Sequence, residues 1–154
     1  VTRWIAPASC LLAAAIFAAA KVRRRYMVIT VAGTSMRPAF HPGDRLLLRR
    51  GGAGRISSGV AVVLRAPGRF VLKDASPPGE TAASAALLMV KRVAAAPGEP
   101  VPEPVRAAVR GVGTVPAGRF VVLADNPAAT DSRRWGFVAA DEIVGTVVLR
   151  FPRR

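Results

Sequence analysis

From Tyr26 onward the chain is cut into apolar runs too short for stable helices. "YMVITVAG", "DRLLLRR", "GVAVVLRAP", "RFVLK", "ALLMVKRV", "RFVVLAD" and "EIVGTVVLRF" follow one another, rich in Val and Leu, with Gly and Pro between them. Runs of this length and composition read as strands bounded by turns. Pro42-Gly43-Asp44, Pro67-Gly68 and Pro97-Gly98 are turn signals with a mechanism, because proline presets φ and glycine accepts a positive φ. No long amphipathic pattern appears in this part. "EPVRAAVRGVG", Glu103–Gly113, is either a short helix or a loop. Many short strands with turn signals predict a mostly β, barrel-like domain over residues 26–154. Asp74–Ala85 and the Pro-rich Ala94–Val105 read as surface insertions, the first mobile and the second extended.

The first 25 residues are of a different kind. Just over half of the 154 residues are apolar and the mean hydropathy is positive, which directs attention to a membrane segment. Trp4–Ala20, "WIAPASCLLAAAIFAAA", carries no charge. As a helix it spans roughly 25 Å, slightly under a hydrocarbon core of ~30 Å. Lys21 and Arg23 can snorkel to cover the difference. A single transmembrane helix over residues 1–25 is the first reading. A cleaved secretory signal with "AAA" at Ala18–Ala20, or a buried helix of the domain, are the alternatives. Lys21, Arg23, Arg24 and Arg25 follow the segment, so the positive-inside rule places the bulk of the chain in the cytoplasm. The net charge of +14 suits anionic lipid or nucleic acid and does not specify a fold. Cys10, the only cysteine, excludes an intrachain disulfide and a Cys-rich zinc site. No metal-ligand spacing is visible.

One serine stands out. Ser35 lies in "TVAGTSMRPAFHPGDRLLL", between a hydrophobic run and the Pro-Gly-Asp turn. A serine hydroxyl becomes a nucleophile only when a neighbour accepts its proton. His41, the single histidine, sits beside a turn and reads as a solvated residue. A lysine can serve when desolvation lowers its pKa. Lys91 in "ALLMVKRV" is embedded in an apolar strand, where Lys91 and Arg92 must point to opposite faces. Lys73 in "RFVLKD" is the rival.

Three blocks, in order, resemble the type I signal peptidases, the serine–lysine endopeptidases that remove secretory signal peptides. "GTSMRPAFHPGD" (Gly33–Asp44) resembles the Ser-Met-x-Pro nucleophile block. "MVKRVAAAPGE" (Met89–Glu99) resembles the Lys-Arg-Val block. "ADNPAATDSRRWGFV" (Ala124–Val138) resembles the Asp-Asn…Asp-Ser-Arg-x-Trp-Gly block. The resemblance implies Ser35 as nucleophile and a neutral Lys91 as general base. It implies a mostly antiparallel β-barrel or sandwich behind an N-terminal anchor. Gly33, Thr34 and Met36 would border the oxyanion and the substrate groove. Gly33 stands where some relatives have a serine that helps hold the oxyanion. Asp131 and Arg133 would form an ion pair pinning the loop beside the dyad, and Asp125 and Asn126 would order its turn. Thr130 is the candidate hydroxyl for orienting the lysine.

The implied reaction is peptide-bond hydrolysis through an acyl-enzyme, with no cofactor and no metal. The implied substrates are precursor proteins whose signal peptides carry small residues one and three positions before the cut. The implied place is the cytoplasmic membrane, with membrane lipids as partners and the catalytic domain outside, against the basic Lys21–Arg25 cluster. The chain is short for the family, which suits a dedicated maturation peptidase for one precursor. Rival readings are a self-cleaving repressor, whose DNA-binding helical domain is not visible, and a catalytically dead relative. A non-enzymatic basic β-module binding lipid or nucleic acid is a third. No aromatic-basic motif supports nucleic acid as a partner.

Overall fold

The computed structural model describes residues 5–51, 56–66 and 88–153, without the side chains of 5–12, 14 and 18. The expected strand "RFVLK" with Lys73, and the insertion at 74–85, lie outside the described residues. The chain opens with helix α1 (Ile5–Arg25), built largely from alanine and leucine, both strong helix formers. Arg23, Arg24 and Arg25 occupy its last turn, where cations complement the helix dipole. Ile16, Phe17 and Val22 on it are exposed. Among the described residues no helix is long and apolar enough to cross a membrane. The expected transmembrane helix therefore has a helix at its place and no established span, and much of its apolar stretch falls on side chains outside the description.

Seven strands follow: β1 (Tyr26–Thr30), β2 (Arg45–Arg50), β3 (Ala61–Arg65), β4 (Leu88–Ala95), β5 (Arg119–Leu123), β6 (Val138–Ala139) and β7 (Ile143–Phe151). All their ladders are antiparallel, in the order β1-β2-β7-β3-β4-β5-β6. The mostly β, antiparallel expectation holds. Strand β7 pairs with both β2 and β3 and so joins the β1–β2 hairpin to the β3–β6 group.

The strands form where side chains can be buried. In β2, Leu46 and Leu48 are fully buried while Arg45 is exposed and Leu47 and Arg49 are half-buried, the alternation of a strand with one wetter face. Ala61 to Leu64 of β3 are all buried, as a central strand covered on both faces requires. Its alternate residues feed two clusters: Val63 packs with Val31, Leu46 and Leu48, and Val62 and Leu64 pack with Val93, Phe120, Val122 and Trp135. A register shift between Val93 and Ala95 against β5 turns Ala95 out of that second cluster. Ala95 joins Val101, Val105, Val109, Val115 and Val121 in a third. Ala94–Val105 is thus no solvated insertion, because its valines roof a small core of their own. Glu103–Val105 is one turn of 3₁₀ helix, which resolves the ambiguous Glu103–Gly113 stretch into a short turn followed by loop.

Candidate active site

Ser35 sits in the loop between β1 and β2. Two backbone bonds close the base of this loop: Val31 N–H to Asp44 O at 2.9 Å and Gly43 N–H to Val31 O at 2.7 Å. Gly43 has φ +92, the conformation its Pro-Gly turn signal requires. Within the loop, Arg37 N–H reaches Thr34 O at 3.2 Å and Phe40 N–H reaches Met36 O at 2.8 Å. Ser35 is thereby carried on a tight turn, half-buried, with Gly33 and Thr34 exposed before it and Met36 fully buried after it.

Lys91 comes from the other group of strands. It lies on β4 opposite Val62 of β3, and it is 1% exposed. Its neighbour Arg92 faces the other way and pairs with Asp125 through Nε–Oδ1 at 2.8 Å and Nη2–Oδ2 at 2.7 Å. Strand alternation had set these two cations on opposite faces. Burial holds the Lys91 ammonium below lysine's ordinary range; the charge of Asp131 works against that shift, and that of Arg133 adds to it. The amine lies 5.8 Å from the centre of the Trp135 ring.

Ser35 and Lys91 line one cavity of about 550 Å³. Ile29, Thr30, Val31 and Ala32 form one wall, continuing into Gly33 and Met36. Leu88, Met89 and Val90 form the facing wall. These walls belong to β1 and β4, which stand three strands apart in the sheet order, so the sheet curls to bring them face to face. Ala129 and Thr130 close the cavity from the third block. Met36 is both a core residue and a cavity residue. His41, the alternative base, is not among the lining residues; it is exposed, and its backbone N–H donates to Asp44 Oδ2 at 2.8 Å.

The third block supports the cavity from behind. Asp131, fully buried, caps the short helix α2 (Ser132–Trp135) by accepting Arg133 N–H at 3.0 Å. Its other oxygen accepts the Ala124 N–H at 2.8 Å, and Arg133 grips both oxygens with Nε at 2.9 Å and Nη2 at 2.6 Å. Burial pushes the Asp131 carboxyl up, and the bonds from Arg133 and Ala124 outweigh it, so its pKa lies below the ordinary value. Ser132 Oγ accepts the buried Val122 N–H at 3.0 Å, fastening α2 to β5. Asn126 reaches the nucleophile loop itself. Its backbone N–H donates to Ser35 O at 3.0 Å and its Nδ2 to Thr34 O at 3.4 Å, while its Oδ1 accepts the Ala128 N–H at 3.1 Å.

Two residues of this framework carry no sequence signal of their role. Asp44 reads as the end of a turn, yet it is 2% exposed. It accepts the His41 and Arg153 N–H groups and pairs with Arg150 Nε at 2.8 Å. The His41 N–H is foremost in holding its carboxyl below the ordinary range. Arg150 Nη1 in turn donates to Ala39 O at 2.6 Å, so the last strand grips the far end of the Ser35 loop. The two are separated by over a hundred residues, and only the turn dipeptide before Asp44 hinted that the site had a foundation there.

In a scan of protein families, the model described as "Signal peptidase, peptidase S26" matches residues 1–103 and 103–152. No curated protein matches the chain.

Proposed function

The chain belongs to the signal peptidase family, peptidase S26, a family of serine peptidases, and from that premise we propose that it hydrolyses precursor proteins through a Ser35–Lys91 dyad. The observation that carries this reading is the shared cavity: a half-buried serine on a tight turn and a desolvated lysine from a distant strand open onto the same space. Lys91, whose pKa is lowered by burial, takes the Ser35 proton in its uncharged form as Oγ attacks the scissile carbonyl. The proton then passes to the leaving amine. A water deprotonated by Lys91 releases the acyl group and regenerates Ser35. The Ser35 backbone N–H is the donor nearest to the developing oxyanion, and Gly33 adds no side-chain donor beside it. Thr130, on the cavity wall, is the hydroxyl available to orient the Lys91 amine. Asp131 and Arg133 act on that amine through charge and hold the loop that carries Thr130. Asn126 fixes the loop against Thr34 and Ser35, and Asp125 ties it to Arg92 of β4.

The substrate is an extended segment laid between the edge of β1 that is unpaired among the described residues and the Leu88–Val90 stretch of β4, which lies beyond the β5 ladder. Small residues one and three positions before the cut suit a groove walled by Val31, Met36 and Met89. Helix α1 with its apolar lead-in anchors the enzyme in the cytoplasmic membrane, and the catalytic domain lies outside. A maturation role for a single precursor is the narrower form of the same reading.

The experiment uses detergent-solubilised full chain and a precursor with an Ala-x-Ala site. Wild type cleaves at that site, while Ser35→Ala and Lys91→Ala lose at least about a thousandfold in kcat/KM. Retained cleavage in Lys91→Ala together with loss in Lys73→Ala would transfer the base role to Lys73.

A further inference from the structure

A second cavity, of about 410 Å³, has Trp135 in its wall and shares no lining residue with the Ser35 cavity. Its apolar surfaces come from Val109, Pro116, Trp135 and Phe137. Arg110 and Arg119 enter it from two separate segments, and no acidic side chain lines it. Among the described residues the ion pairs engage Arg92, Arg106, Arg133 and Arg150, and neither Arg110 nor Arg119 is paired with a described carboxylate.

The backbone around the cavity is unusual in two places. Arg110 adopts φ +55, the only positive φ of a non-glycine residue among those described, and Gly111 follows with φ +78. A side chain is disfavoured in that region, so the turn holds the Arg110 guanidinium where an unstrained helix would not. Gly111 N–H closes the turn onto Arg106 O at 2.9 Å. Gly136 packs so closely that a Cβ there would stand 3.2 Å from Ala108 O, which brings Trp135 and Phe137 against the Arg110 segment.

We propose that this cavity is a binding site for a small organic anion with an apolar body, such as an aryl or alkyl carboxylate. The volume is that of a small-ligand site. Arg110 and Arg119 bring two cations to the site, and each guanidinium carries a fork of two N–H donors that matches a carboxylate. Trp135 and Phe137 belong to the apolar wall on which the body of the ligand would lie.

The test reads binding without turnover and so stands apart from the peptidase reading. Full-length Trp4→Phe protein leaves Trp135 as its remaining tryptophan, and its emission is followed while 4-phenylbutyrate is titrated. A saturable change is expected in the millimolar range or tighter. Arg110→Gln/Arg119→Gln weakens it by about tenfold or more. Arg110→Gly, which suits the positive φ and so preserves the turn, also weakens it. The charge-matched Arg24→Gln/Arg25→Gln leaves it unchanged, and neutral 4-phenylbutan-1-ol binds much more weakly than the acid. Equal binding of the alcohol, an equal loss in the α1 control, or no saturation would overturn the proposal.

Discussion

Lys91 places an amine in a wall that water scarcely reaches, and its titration has consequences for both rate and stability. Its folded-state pKa is lowered, foremost by burial. In the proposed dyad the uncharged form is the base, so kcat/KM is expected to rise with pH along a limb whose midpoint lies below that of a solvated lysine. A pH–rate profile with its midpoint at the ordinary lysine value would contradict this. The stability sign follows from proton counting. Between the lowered pKa and the ordinary one the unfolded chain binds more protons, so stability rises with pH across that window. Below the window the full penalty of the buried charge is present. Lys91→Met, of similar length without the charge, is therefore expected to be inactive yet more stable by about 1 kcal/mol at neutral pH. That gain fades as the pH climbs through the window, which paired thermal melts of variant and wild type will reveal. Gly33 offers a gain of the opposite kind. Open space surrounds the position its Cβ would take, and its φ is not in the left-handed region. Gly33→Ser can therefore introduce a hydroxyl beside the oxyanion without a clash, and kcat is expected to rise by about tenfold with little change in KM.

At the level of elements, the four-residue α2 matters far beyond its length. Asp131 caps it, binds β5 through Ala124 and clasps Arg133, all from complete burial. Asp131→Ala leaves these donors without their acceptor. The expected cost is about 3 kcal/mol, read from the shift of the denaturant midpoint at constant m-value. The strands themselves were legible because alternation and turn residues act locally: Leu46 and Leu48 inward, Arg45 and Arg49 on the wetter face, Gly43 at its positive φ. The placement of Ser35 on a turn and of Lys91 within an apolar strand was legible for the same local reason, and the shared cavity they line was not, since it needs the whole sheet. β6 was not, since two residues give no period to read. The Asp44–Arg150 pair was not, since nothing local links a turn near the start to a strand near the end. The Ala94–Val105 segment misled because its prolines suggest a solvated loop, while Val101 and Val105 find a buried cluster only after β4 and β5 have paired.

For the whole molecule, charge and topology pull on the same question. The basic cluster at the end of α1 favours a cytoplasmic domain by the positive-inside rule, while a peptidase acting on exported precursors must face outward. In right-side-out vesicles, a carboxyl-terminal tag on this chain is expected to be removed by added protease. A protected tag would place the site inside and restrict it to a specialised precursor. The order of strands has a further reach. Among the described residues, the β1–β2 hairpin that flanks Ser35 and the ladders that carry Lys91 are joined into one sheet by β7, which pairs with both β2 and β3 and follows them all in the chain. On the proposed dyad, a chain truncated before Ile143 is therefore expected to hold both groups and yet cleave nothing, since the strand that ties their two halves together is gone.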